Sequence, residues 1–83
     1  MLDELTSADK VVGLKQVARE AQLGNLIKIY IAMDCDRDIR RELLELSSEY
    51  HLEYEMVPTR QKLGDVCGIQ VKAACAGLLK ADE

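Results

Sequence analysis

The chain has 83 residues, of which 48% are hydrophobic and 31% charged, and its formal net charge at pH 7 is −4. This length fits one domain, residues 1–83, and the hydrophobic fraction excludes an intrinsically disordered chain. No apolar run approaches the roughly 18 residues of a transmembrane helix, and the acidic balance argues against a general nucleic-acid or DNA binder. Asp3 and Glu4 lie where a signal peptide carries basic residues, so we expect a cytoplasmic protein.

The first half of the chain predicts a short helix, a short strand, a longer helix and a second strand. The short helix covers residues 1–7 and the short strand residues 10–12. Residues 26–32 are almost wholly apolar and rich in β-branched side chains, which predicts a buried central strand. Between the two strands, apolar residues recur at spacings of three and four, which predicts an amphipathic helix that ends at Gly24. Its apolar stripe comprises Leu14, Val17, Ala18 and Ala21.

A second amphipathic helix and a further strand follow the central strand. Either Asp34 or Asp36 can cap this helix. Residues 54–57 form the further strand, which Pro58 ends. The apolar stripe of the helix comprises Ile39, Leu43, Leu46 and Tyr50.

The last part of the chain predicts a short helix over residues 60–66, an extended piece over residues 69–71 and a final helix over residues 72–80. Leu, Ile, Val and Ala fill the core, and the three tyrosines are expected at its margins. The alternation of helices and strands indicates an α/β domain with helices on both faces of its sheet. The final helix is expected to bury Ala74, Cys75, Leu78 and Leu79.

Little in the chain suggests catalysis, a metal or a cofactor. The cysteines are odd in number and form no Cys-x-x-Cys motif, so we expect reduced thiols packed as small hydrophobic side chains. The acids between Asp34 and Glu45 have the spacing of a calcium-binding loop, but Ile39 occupies the position that needs glycine. A helix N-terminus rich in capping residues is therefore favoured there. His51 has no identifiable catalytic partner and suits a helix C-terminus, so we predict that the protein is not an enzyme.

Positive charge is concentrated in two segments of this acidic chain. Residues 10–19 contain three basic residues and no acid, a local charge of +3, and residues 58–72 contain three basic residues and one acid, a local +2. Residues 34–55 contain eight acids and three arginines, a local −5. This asymmetry favours a focused site for an anion, built from both positive segments, over a broad polyelectrolyte surface.

The first positive segment combines Gly13, Lys15, Gln16 and Arg19 around a helix start. These side chains could form only the solvated face of their helix. Three details favour a binding site: Gly13 exposes backbone N–H groups, Lys15 and Arg19 are one helical turn apart, and the Gln16 amide both donates and accepts hydrogen bonds, as base-edge recognition requires.

The chain resembles the ribosomal protein L7Ae/L30e family, and most closely its small bacterial members that bind kink-turn RNA. The resemblance runs from about residue 9 to about residue 79. It implies a three-layer α-β-α sandwich with a four-stranded mixed sheet. The motifs that carry it are Gly13-x-Lys15-Gln16, Ile31-Ala32-x-Asp34-x-Asp36, Val57-Pro58-Thr59-x-x-x-Leu63-Gly64 and Cys67-Gly68-Ile69-x-Val71.

The resemblance also implies roles for the first positive segment. In this family, the helix after the glycine enters the major groove of RNA at tandem sheared G·A pairs, beside a three-nucleotide bulge. By this resemblance, Gly13 allows close backbone approach, Lys15 and Gln16 reach guanine edges, and Arg19 contacts phosphate or base. Leu14 belongs to the same RNA-binding segment.

The second positive segment corresponds to the part of the family that holds the bulge. The resemblance assigns Arg60 to a cationic position near the bulge, and Ile69, Gln70 and Val71 to a loop that packs on splayed nucleotides. We therefore expect a monomeric protein that stabilises kink-turn RNA of a ribosome or riboswitch. The alternative is a protein-interaction module of the same fold without RNA binding, whose contact surface is the acidic helix over residues 37–50.

Overall fold

The computed structural model of the chain describes residues 9–80. The predicted helix over residues 1–7 lies outside the described residues. Within them, the strands are β1 (Lys10–Val12), β2 (Leu26–Ala32), β3 (Glu53–Val57) and β4 (Cys75–Leu79), and the helices are α1 (Leu14–Gln22), α2 (Arg37–Glu49) and α3 (Arg60–Cys67). In this part of the chain, no helix combines the length and apolar character needed to cross a membrane.

The four strands form one mixed sheet in the order β1-β4-β2-β3. β4 pairs antiparallel with β1 and with β2, whereas β2 and β3 are parallel. α1 and α2 contact each other as well as the sheet, and α3 contacts β2, β3 and β4. The domain is thus a three-layer α-β-α sandwich, which confirms the predicted fold class.

The predicted final helix over residues 72–80 is wrong, because residues 75–79 form the strand β4. The fourth strand is therefore not the extended piece at residues 69–71, which lies in a loop. β4 has a neighbouring strand on each side and is buried along most of its length, so apolar residues face both layers. A Cβ on Gly77 would lie 2.8 Å from the end of the Leu26 side chain, so a larger residue there would require that side chain to shift.

The core lies on both sides of β2. Tyr30 is fully buried, which corrects the expectation that the tyrosines occupy the margins, since helices cover both faces of this strand. Apart from Tyr30 and Cys75, the largest fully buried side chains are aliphatic, as predicted from the composition. They are Ile29, Ile31, Leu43, Leu63, Val17 and Val57.

The cysteines pack as small hydrophobic residues, as predicted. Cys35, Cys67 and Cys75 are all free and buried. Burial in apolar surroundings disfavours a thiolate, so it raises the pKa of each thiol above its ordinary value, and that of Cys75 to about 12.

The predicted helix ends are confirmed at three positions. Gly24 lies one residue after the α1 cap with φ 75°, and Gly68 ends α3 in the left-handed conformation. Asp36 rather than Asp34 caps α2, where its side chain accepts a hydrogen bond from the Asp38 N–H. His51 lies two residues after the last residue of that helix, directly beyond its cap residue Tyr50.

Candidate nucleic-acid interface

Three strands point toward the same end of the sheet. β1, β2 and β3 run in one direction and β4 runs in the opposite direction. Residues that follow the first three strands therefore lie at the same end as residues that precede β4. We call this end the carboxyl end of the sheet; it carries Gly13, Asp34, Arg60 and residues 69–71.

Backbone hydrogen bonds connect the two predicted segments at the carboxyl end. The Gly13 N–H donates to the Cys75 carbonyl over 3.0 Å, and the Ala73 N–H donates to the Arg60 carbonyl over 3.0 Å. Residues 73–75 thus link the start of α1 to the start of α3. The structure brings together the two positive segments that the sequence predicts to form one composite site.

The start of α1 has the backbone geometry of an anion-binding site. Gly13 is the N-cap residue, with φ 99° and ψ 152°, and makes no side-chain cap hydrogen bond. In contrast, Asp36 accepts from the Asp38 N–H at the start of α2, and Thr59 accepts from the Lys62 N–H at the start of α3. Among the helices of residues 9–80, α1 is thus the one whose first turn lacks a side-chain cap. Its N–H groups and the positive end of its dipole are available to a ligand.

The predicted side chains of α1 lie on its solvent-facing side. Lys15, Gln16 and Arg19 are exposed, whereas Leu14 is half-buried and packs against the core. Lys15 and Arg19 are one helical turn apart, roughly 6 Å along the axis, so they project from the same side. α1 begins at the carboxyl end, so Arg19 is the predicted residue of this helix farthest from that end.

Arg60, the first residue of α3, is held by Asp34. Its backbone N–H donates to Asp34 Oδ1 over 2.8 Å, and its Nε lies 3.5 Å from the same oxygen. The Nε atom is buried and makes no hydrogen bond, while the Arg60 side chain as a whole is 43% exposed. The carboxylate therefore anchors the inner part of the side chain by charge, and the end of the guanidinium group is left for a ligand.

Sequence reasoning identified Asp34 as a possible helix cap and missed this contact with Arg60. The two residues are 26 positions apart, so their contact depends on the pairing of β2 with β3. The available signal was the position of Asp34, just beyond a predicted central strand, where loops of neighbouring parallel strands meet.

The predicted loop at residues 69–71 lies on α3, next to the start of β4. The Ile69 N–H donates to the Gly64 carbonyl over 3.1 Å, and the Ile69 side chain is half-buried against the core. Gln70 and Val71 are exposed, and Val71, at 69% exposure, is the most exposed of the large apolar residues described. The loop therefore presents apolar surface at the carboxyl end, where it lies against α3.

A cavity of about 310 Å³ lies between this loop and the exposed side of α3. Its lining combines two amides, one carboxylate, one ammonium group and one aliphatic side chain, which offers hydrogen-bond donors and acceptors beside apolar surface. The lining residues are Gln61, Asp65, Gln70, Val71 and Lys72.

The positive charge of the site comes from both segments. Lys15 and Arg19 are exposed on α1, and Lys62 and Lys72 are exposed on and beside α3. Lys62 and Lys72 add to Arg60 on the loop side, although neither was predicted as a site residue. Within residues 9–80, no group of three or more His, Cys, Asp or Glu side chains is arranged to hold a metal ion.

Comparison with known protein sequences finds a matching family and relatives that cover most of the chain. The family described as ribosomal protein L7Ae/L30e/S12e/Gadd45 matches residues 2–83. A protein named RNA-binding protein from Geobacillus sp. (strain WCH70) is 32% identical over 76 residues, which cover 92% of this chain and 93% of that protein. The RNA-binding protein YbxF of Geobacillus stearothermophilus is 31% identical over 70 residues, 84% of this chain and 85% of that protein.

Comparison with solved structures shows the same fold. A Bacillus halodurans protein of unknown function superposes with a TM-score of 0.87 at 24% identity, covering 96% of this chain and 84% of that chain. The Giardia lamblia 15.5kD RNA binding protein also gives a TM-score of 0.87, at 21% identity, covering 98% of this chain and 72% of that chain. The family description and the relatives' names designate ribosomal or RNA-binding proteins and no enzyme, in agreement with the prediction.

Proposed function

Because the chain belongs to the ribosomal protein L7Ae/L30e/S12e/Gadd45 family, we propose that it binds structured RNA with the carboxyl end of its sheet and recognises kink-turns. The protein acts as a cytoplasmic monomer without catalysis, on an RNA of the ribosome or of a riboswitch. The observation that carries the proposal is the uncapped start of α1 beside the exposed loop at residues 69–71.

The start of α1 supplies the contacts to the tandem sheared G·A pairs. No atom lies within 4 Å of the position that a Cβ on Gly13 would occupy, so the RNA can approach the backbone there. Lys15 donates to guanine acceptors, and the Gln16 amide donates and accepts at a base edge. Arg19, one turn further along α1, contacts a phosphate. A distorted RNA is required, because the major groove of a regular A-form helix is too narrow for side chains to read.

The loop and Arg60 supply the contacts to the bulge. Bases that leave the helical stack expose flat apolar faces, which can pack on aliphatic as well as aromatic side chains. Ile69 and Val71 offer such area, and Gln70 adds an exposed amide. Arg60 lies on the β3 side of the loop and places a cation among the phosphates that the kink brings together.

Binding of this kind stabilises the kinked RNA. β1 and β3 are three strand spacings apart, roughly 14 Å, so Gly13 after β1 and Arg60 after β3 contact different parts of the RNA. Only the kinked form presents the G·A pairs and the bulge to both halves at once. A ligand that contacts one conformation preferentially shifts the equilibrium toward that conformation by its differential binding free energy.

The test compares binding of a kink-turn RNA by the wild-type protein and by a Lys15→Ala, Gln16→Ala double variant. Each specific base contact contributes ~1–3 kcal/mol, so the double variant is expected to bind at least about 30-fold more weakly. Its melting temperature should stay close to that of the wild type, because both side chains are exposed. Fluorescence anisotropy at one fixed salt concentration measures the affinity.

The matched control is Lys80→Ala, which removes an exposed cation beyond the end of β4, at the opposite end of the sheet. This variant should keep wild-type affinity within a few-fold. Equal losses for Lys80→Ala and the double variant would contradict the site assignment and indicate a nonspecific charge effect. No affinity of the wild type for any kink-turn would favour the protein-interaction alternative.

A further inference from the structure

Gly64, in the middle of α3, lies where the helix meets the loop that enters β4. We propose that Gly64 is a positioning residue for RNA recognition: its missing side chain lets the loop backbone lie directly on α3 and fixes the place of residues 69–71. This inference rests on the proposed function, and it adds a determinant that does not itself contact the RNA.

The space at Gly64 is occupied by loop backbone. A Cβ at this position would collide with the Val71 carbonyl oxygen, and it would lie 3.2 Å from the Val71 carbonyl carbon and 3.4 Å from the Lys72 Cα. Backbone atoms cannot rotate away as the end of a flexible side chain can. Any residue larger than glycine must therefore displace the loop, the helix or both.

The backbone conformation of residue 64 does not require glycine. The positive-φ glycines are Gly13, Gly24 and Gly68, and a Cβ on any of these three would meet nothing within 4 Å. Gly64 has ordinary helical geometry, where glycine is less favourable than alanine by about 1 kcal/mol. Glycine is therefore favoured at position 64 because it allows the loop backbone to approach α3 closely.

The loop is attached to α3 on both sides of this contact. The Ile69 N–H donates to the Gly64 carbonyl over 3.1 Å, and the Ala73 N–H donates to the Arg60 carbonyl over 3.0 Å. Val71 lies between these anchors, with its carbonyl group against Gly64, and the residue is 69% exposed. A shift of the Val71 backbone therefore moves the surface that the proposed function assigns to the bulge.

The required shift is large enough to affect recognition. The Val71 carbonyl oxygen would have to move by at least about 1 Å to reach a normal van der Waals separation from a Cβ. Binding sites tolerate displacements of only about 0.5 Å before their contacts weaken. Gly64→Ala should therefore weaken binding although the RNA contacts neither residue 64 nor its new methyl group.

The experiment measures kink-turn affinity and melting temperature for wild type, Gly64→Ala and Gly77→Ala. Gly77 is a matched control, since the atoms nearest to its Cβ would be side-chain atoms of Leu26 and Val11 and not loop backbone. Both variants should lower the melting temperature. Gly64→Ala should also lower the affinity of the folded protein at least tenfold, whereas Gly77→Ala should leave that affinity within about twofold of the wild type.

A double-mutant cycle assigns the effect to the loop. Combined with Ile69→Ala and Val71→Ala, Gly64→Ala should add little further loss of affinity, because the contacts it displaces are already absent. Combined with Lys15→Ala, its effect should be fully additive. Additivity in the loop cycle, or unchanged affinity of Gly64→Ala, would overturn the positioning role.

A second variant keeps the inference testable if Gly64→Ala fails to fold. Insertion of one glycine after Gln70 retains Gly64 but releases the loop from its position on α3. Weaker binding by this folded variant supports the role of loop position, and wild-type affinity overturns it.

The two proposals fail separately. A wild-type protein without kink-turn preference contradicts the proposed function. A wild-type preference that Gly64→Ala retains contradicts only the positioning role.

Discussion

The backbone conformation of Gly13, in the proposed site, predicts that substitution by alanine destabilises the folded protein. Its φ of 99° and ψ of 152° fall in a region that is essentially restricted to glycine. A Cβ there would meet no atom within 4 Å, so Gly13→Ala perturbs backbone conformation alone and creates no clash in the folded protein. The cost of this substitution is therefore a direct measure of the strain at the start of α1.

The magnitude follows from two opposing contributions. A residue with a side chain in this region costs of order 1–3 kcal/mol. Alanine also restricts the unfolded chain, which stabilises the folded state by about 0.4–1 kcal/mol. The free energy of unfolding should therefore fall by about 1–2 kcal/mol, which corresponds to a melting temperature lower by roughly 5–15 °C for a domain of this size.

Urea denaturation of Gly13→Ala measures this change, with Gly68→Ala as the control. Gly68 has φ 77° and ψ 21°, the common left-handed conformation, whose penalty for alanine is roughly 1–2 kcal/mol and is partly offset in the same way. Gly13→Ala should be the more destabilising of the two. An unchanged free energy of unfolding for Gly13→Ala would show that the start of α1 does not require this φ and ψ, and would contradict a helix start held open for a ligand.

Two further predictions concern titratable groups in the body of the domain. A hydrogen bond from Lys28 Nζ, 2.9 Å long, lowers the pKa of Glu55 below its ordinary 4.5. The stabilisation from this lowered pKa is present above about pH 4.5 and is lost as the pH falls through the folded-state pKa. Melting curves from pH 6 to pH 3 should therefore decline more steeply for wild type than for Glu55→Gln, and parallel curves would count against the pair. The second prediction is that the buried thiols of Cys35, Cys67 and Cys75, whose pKa values burial raises, react slowly with a thiol reagent at pH 8 in the native protein and quickly in denaturant; a single fast native thiol would contradict their burial.

The elements with strong local signals could be predicted from the sequence. α1 and α2 have apolar stripes at helical spacing, and Gly24 and Gly68 end their helices by adopting a conformation that other residues avoid. β2 is rich in β-branched residues over seven positions. In each case the residues that specify the element lie within it or next to it.

β4 could not be predicted, because its strand conformation depends on distant partners. Its residues, Cys75–Leu79, include no β-branched side chain, and alanine and leucine favour helices. A short apolar run of this kind does not distinguish a buried strand from a buried helix. Pairing with β1 and β2 decides the outcome, and the same neighbours place Tyr30 in the core instead of at its margin.

The candidate site could be predicted where its signals are local, and could not be predicted where it depends on residues distant in sequence. Local charge, Gly13 and the family resemblance identified the two segments, and strand direction brings them to one end of the sheet. The contacts that hold these segments in place depend instead on residues that are distant in sequence and close in the fold. Asp34 acts through Arg60 across two neighbouring strands, and Gly64 matters because of a loop that returns to α3. The sequence places Asp34 just beyond a strand and Gly64 within a helix, but neither position specifies the residue that it contacts.

The affinity ratio between two RNAs tests the central claim most directly. One RNA is a kink-turn labelled at both ends for energy transfer, and the other has the same length and bulge with its tandem G·A pairs replaced by Watson–Crick pairs. At equal salt, the protein should bind the kink-turn at least about 30-fold more tightly, since two lost base contacts remove about 2–6 kcal/mol, and should raise its energy transfer to the kinked value. Equal affinity for both RNAs, or binding without increased energy transfer, would contradict recognition of the kink-turn.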